Sequence, residues 1–164
     1  MPESNPPPPL PSIPFIKAPP LNITPEAEKQ LNAHGYTVDD VTKEMILAVT
    51  FDIRKFVQNL NGIISRRDYN KWVSYLSSEY FLTISSKEFL DAQSQKDLLR
   101  TKKIVLKSAK DYFIYVVVPS RAQSRVDDIE FISETRVKAY TVNRGQRMRL
   151  YELERKNDSW LIAN

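Results

Sequence analysis

The chain has 164 residues, 41% of them hydrophobic and 27% charged, with a formal net charge of +4, the profile of one globular domain large enough to bury a sound core. It has no Cys, a single His (His34) and three scattered glycines. Disulfides, thiolate or multi-His metal sites and Gly-rich phosphate loops are thereby excluded, and a Ser-His-Asp triad would have to be built on His34.

The opening, "MPESNPPPPLPSIPFIKAPPLNITP", holds ten of the 11 prolines. Proline fixes φ and removes a backbone donor, so residues 1–24 are expected to form a disordered, polyproline-like leader or tether. A ligand for a proline-recognising groove is the sharper alternative. The segment lacks the charged start and apolar run of a secretion signal. Spacers of this kind separate a membrane anchor from a folded domain. The expectation is therefore a bacterial envelope protein, anchored through a signal upstream of the sequence given, with a cytosolic protein beginning at Met1 as the alternative. No apolar run reaches the roughly 18 residues of a membrane span.

Residues 25–41 read as a short helix and linker. Thr24 is placed to cap, Pro25 opens the helix, and His34-Gly35 stops it. His34 is expected to complement the helix dipole from the last turn. From Asp40 to about Ser65 the pattern is strongly helical, with Ile46, Val49, Ile53, Phe56, Leu60 and Ile63 in one stripe and Val41 placed to staple onto Ile46. Burial of six such side chains contributes roughly 9 to 18 kcal/mol gross, before entropy. A short helix follows around Trp72, Val73, Tyr75 and Leu76. "EYFLTIS" then reads as a strand, and "SSKEFLDAQSQKDLLR" as a helix with Ser85 and Glu88 in capping-box spacing. Beyond residue 102 strands are predicted at "KKIVLK", "YFIYVVV" (ended by Pro119), "DIEFISETRVKAYTV", "QRMRLYELER" and "SWLIA". Asn143-Arg144-Gly145 and Asn157-Asp158 supply the turns.

Helices first, a lone strand, another helix and a run of antiparallel strands closing on a Trp strand: over residues 42–164 this order resembles the nuclear transport factor two-like superfamily of ketosteroid isomerase and the SnoaL-like proteins. The resemblance rests on the stripe from Ile46 to Ile63, on "SRRDYNKWVSYLSSEYFLTIS" and on "MRLYELERKNDSWLIAN". It implies an α+β cone, with N-terminal helices packed in a strongly curved antiparallel sheet and a ligand pocket at the mouth. It also implies a homodimer through the sheet's outer face, or a protein partner. Isomerase-like members place a carboxylate base near the first strand, where this chain has "FLTISS" from Phe81 to Ser86. Glu79 precedes that stretch, and His34 lies outside the shared region. The carry-over therefore fails at the catalytic positions. A non-catalytic binding or assembly module is expected, without cofactor or metal, and a small-molecule isomerase or dehydratase is the alternative.

Trp72, Tyr75, Tyr80, Phe89, Tyr115 and Tyr151 are the candidate pocket residues. Their rings would contact a small apolar ligand and the phenols would give it polar handles; the competing role is packing of the core. The excess of basic residues lies in the C-terminal part: residues 66–164 carry 19 Lys/Arg against 13 Asp/Glu, while residues 1–65 carry 5 against 7. Lys102, Lys103, Lys107, Arg147 and Arg149 form a candidate basic surface, read first as a solvated face or a lysine-protected sheet edge. Anionic headgroups or an acidic partner come second, and nucleic acid is disfavoured because acids interleave with the bases.

Overall fold

The computed structural model describes residues 24–35 and 38–164; the expected leader of residues 1–23 and the Val41 side chain with its staple lie outside the described residues. Helix α1 (Pro25–Ala33) begins at Thr24, whose Oγ1 accepts from the Ala27 N–H. Gly35, at φ +79°, follows it, and the exposed His34 ring bonds the Gln30 carbonyl through Nδ1 at 2.8 Å. Helix α2 (Val38–Ser65) is the long wall the stripe predicts. Ile53, Leu60 and Ile63 are buried as expected, joined by Val57 and Ile64, while Ile46, Val49 and Phe56 pack against the same core.

Four strands, β1 (Asp128–Ser133), β2 (Arg136–Asn143), β3 (Gln146–Lys156) and β4 (Ser159–Ile162), form an antiparallel meander in the order β1-β2-β3-β4. Both of the later turns are two residues long. Arg144 and Gly145 have φ of 49° and 77°, and Asn157 and Asp158 have 51° and 59°, the positive pair that a tight hairpin needs to match strand twist. Ile129, Phe131, Val137, Ala139, Tyr151 and Leu153 alternate inward onto the core. The architecture is α+β as expected, but this four-stranded sheet is not strongly curled.

Three predicted strands are not strands. "EYFLTIS" is helix α4 (Ser78–Ser85), reached through α3 (Tyr69–Val73). The Ser77 hydroxyl accepts from the Tyr80 N–H at 3.1 Å, and the next serine pair does the same for α5 (Lys87–Ser94), where Ser86 rather than Ser85 accepts from Phe89. Once capped, the segment buries Ile84 one turn beyond the partly buried Tyr80 and Phe81, and this helical face outweighs strand propensity. The β contact comes earlier: Leu76 bridges to Ile162, Ser77 N–H donates to the Ile162 carbonyl at 2.8 Å, and Ile162 N–H donates to Tyr75 at 2.7 Å. These bonds cover part of the outer edge of β4.

"KKIVLK" is an irregular connection after α6 (Asp97–Thr101). Its buried Leu106 joins Leu90 and Leu99 in a small second core. "YFIYVVV" is helical: α7 (Ala109–Tyr112) runs into a π-helical turn (Phe113–Val117) and then α8 (Val118–Arg121). Ser108 caps α7 by accepting from Asp111 N–H, and the Asp111 carboxylate accepts from Lys107 N–H. Ala109, Phe113 and Val117 are buried at intervals of four, a helical period that β-branched residues obscured. Pro119 therefore ends no strand. It stands in the first turn of α8, where the missing N–H is tolerated.

Candidate functional site

A hollow of about 360 Å3 opens between the short helices and the ends of β3 and β4. Trp72 of α3, Tyr80 of α4 and Phe89 of α5 line it, as do Tyr112, Val116 and Val117 from the helix with the π-helical turn. Leu150, Tyr151 and Ile162 supply the sheet side. The widened turn belongs to the wall, a placement common for π-turns near binding sites. Rings are stacked around it: Trp72 lies 4.8 Å from Phe113, and Phe89 meets Tyr112 edge-on at 5.0 Å.

Two of the lining residues carry a polar atom with no hydrogen-bond partner, the Trp72 indole Nε1 and the Tyr151 phenol oxygen; both atoms are closed off from solvent, and the residues are only 1% and 5% exposed. The nearby Ser124 hydroxyl gives its proton to the Arg121 carbonyl at 3.0 Å and does not reach bonding geometry with Tyr151. Burial raises the Tyr151 phenol to about 12, against a smaller opposing effect of Arg121. Tyr80 is raised further still, by burial first and then by the neighbouring Tyr112 phenol. Both phenols stay protonated at neutral pH, as an unshifted phenol would.

Lys96, Arg121 and Arg149 also line the hollow. The Arg121 guanidinium is held at the rim, with Nε donating to the Leu150 carbonyl at 3.3 Å and the head 6.0 Å from the Tyr151 ring centroid. None of the lining side chains is acidic. Glu79 is exposed in the first turn of α4, and the stretch from Phe81 to Ser86 carries no carboxylate into the site.

Four of the six predicted pocket residues, Trp72, Tyr80, Phe89 and Tyr151, are brought together here; Tyr75 and Tyr115 are not. Tyr75 packs edge-on against Phe56 at 5.7 Å, and its hydroxyl accepts from Asn59 at 3.2 Å. Tyr115 is 45% exposed, because the helix that replaces the predicted strand turns it away from the core. Lys96 and Arg121 are lining cations that the predicted basic surface did not include; Arg121 stood just past a supposed strand end.

The predicted basic surface divides. Arg149 lines the hollow, and Lys102, Lys103 and Lys107 are exposed around the connection that follows α6. Arg147 instead bonds Asp128 at 2.8 Å, approaches Glu130 at 3.7 Å and stacks 3.8 Å from the Tyr140 ring centroid. Together with Arg136 bonded to Glu154 at 2.8 Å, these contacts make the outer face of β1–β3 a lattice of paired charges.

The chain matches no family model and no solved structure. It is similar to an uncharacterized lipoprotein of Treponema pallidum (strain Nichols), 38% identical over 111 residues that cover 68% of this chain. The match spans 58% of that protein's length. Among the described residues no helix is long and apolar enough to cross a membrane, and no cluster of His, Cys, Asp and Glu is arranged to hold a metal ion.

Proposed function

We propose that this chain is a non-catalytic small-molecule-binding module, held in a bacterial envelope by an anchor N-terminal to its Pro-rich leader. The observation that carries the reading is the hollow, a ring-lined concavity of ligand-binding size. The likeness to a Treponema lipoprotein supports the envelope, with lipid attachment as the form of anchor.

Kinship with the nuclear transport factor two-like superfamily remains part of the proposal. It is supported by α2 packed on an antiparallel meander beside a hollow, and opposed by the helical residues 78–85 and the four-stranded sheet. The alternative of an isomerase or dehydratase lacks its base, since no carboxylate side chain lines the hollow. An assembly module through the sheet's outer face would have to disturb charges already paired with each other.

Native mass spectrometry of the protein purified from its own cells tests the reading. A discrete added mass of a few hundred daltons is the expected result; a bare protein or a protein complex without added mass overturns it in favour of assembly. The same spectrum reports the anchor: a lipid-modified Cys upstream of Pro2 supports it, and an unprocessed Met1 refutes it.

A further inference from the structure

We propose that the ligand is a small amphiphilic anion, a flat apolar body carrying one anionic oxygen group, because the hollow sets aromatic rings beside three cations and no acidic side chain. This rests on the reading of the hollow as a binding site and names the chemistry it takes.

Among the described residues Lys96, Arg121 and Arg149 take part in no ion pair. Arg100, Arg125, Arg136, Arg147 and Arg155 each have a carboxylate within 4 Å. Lys96, Arg121 and Arg149 are three of many cations with no carboxylate within 4 Å, but they share one concavity whose lining side chains include no acid. A cationic ligand would meet like charge there, and a neutral one would leave the cations uncompensated. An anionic oxygen group compensates the charge, and charge-assisted bonds of this kind are the stronger ones. The rings of Trp72, Phe89 and Tyr112 then take the apolar body by stacking and edge contact.

Three probes of one shape decide the matter: 2-naphthoate, its neutral carboxamide and the cationic 2-naphthylmethylamine, titrated by calorimetry into wild-type protein and into Arg149→Gln and Lys96→Gln variants. Both substituted side chains are exposed, so the fold should be unaffected, and circular dichroism verifies this. The carboxylate is expected to bind at least about tenfold more tightly than the carboxamide, with the amine weakest. Each substitution should narrow the gap, and added salt should narrow it further. Equal affinity for carboxylate and carboxamide, or a gap indifferent to both substitutions and salt, overturns the anionic class and leaves the hollow as a binding site. Binding of none of the three overturns the amphiphile itself. A retained mass on the native protein separates that failure from failure of the site.

Discussion

Tyr151 and Trp72 line the same hollow from opposite layers of the fold, β3 and α3, and neither the phenol oxygen of the one nor the indole nitrogen of the other, both closed off from solvent, has a hydrogen-bond partner. Such groups lower stability in the empty protein. Tyr151→Phe is therefore expected to stabilise the ligand-free protein by about 1 kcal/mol, the lower end of the cost of an unmet buried hydroxyl. Urea unfolding measures the change. A loss of stability in the empty variant would mean that the hydroxyl has a partner after all.

Tyr75→Phe and Tyr115→Phe should leave ligand affinity unchanged, whereas Tyr80→Phe should reduce it several-fold. Tyr75 is committed to Phe56 and Asn59, and Tyr115 faces solvent. Isothermal titration of the three variants side by side checks the assignment. An effect at Tyr115 equal to that at Tyr80 would contradict the placement of the hollow.

Alkaline titration should show two classes of tyrosine. Tyr151 ionises near 12 in the folded protein instead of at the ordinary 10.0, and Tyr80 is raised as well. Folding holds these phenols neutral, so their contribution to stability is complete below about pH 10 and is lost as pH rises through the folded values. Absorbance at the phenolate band, followed with unfolding, should show delayed ionisation together with loss of structure. Tyr80→Phe should make stability less dependent on pH in that window.

Asp127 gives the opposite sign at the acid end. Burial by itself would raise its carboxyl, but bonds from Arg125, the Val142 N–H and the Thr141 hydroxyl together hold it below the ordinary 3.8. Its contribution is present above the ordinary value and is lost as pH falls through the folded one. Asp127→Asn is expected to cost about 1 to 2 kcal/mol near neutral pH, with the difference shrinking as pH falls below the ordinary 3.8 and through the folded value. Thermal melts across that range test it; a constant difference would assign the loss to packing.

Ser94 ties the second core together. Its buried hydroxyl donates to the Leu90 carbonyl at 2.7 Å and accepts from the Leu106 N–H at 2.9 Å. Ser94→Ala strands that buried N–H and should cost about 1 to 3 kcal/mol, read from urea midpoints. Amide exchange at Leu106 should speed up. Unchanged exchange there would show that the bond does not hold the connection.

By itself the sequence determined the elements whose signals are local and repeated. The stripe of α2 needs nothing beyond its own period, and Arg144-Gly145 and Asn157-Asp158 sit between alternating segments that have no other way to turn. The Pro-rich composition, the missing Cys and the single His likewise bound the chemistry before any packing is considered. Only the tertiary structure decided residues 78–85 and 109–121. Their β-branched and aromatic residues favour strands intrinsically, but serine caps start helices there and one helical face of each finds a core to fill. That choice moved Tyr115 into solvent and brought Tyr112 and Arg121 to the hollow. It also left Trp72 and Tyr151, 79 residues apart in the chain, lining the same space with polar atoms unmet. Residue spacing along a chain cannot show which side chains lack partners, because a partner is a matter of distance in three dimensions.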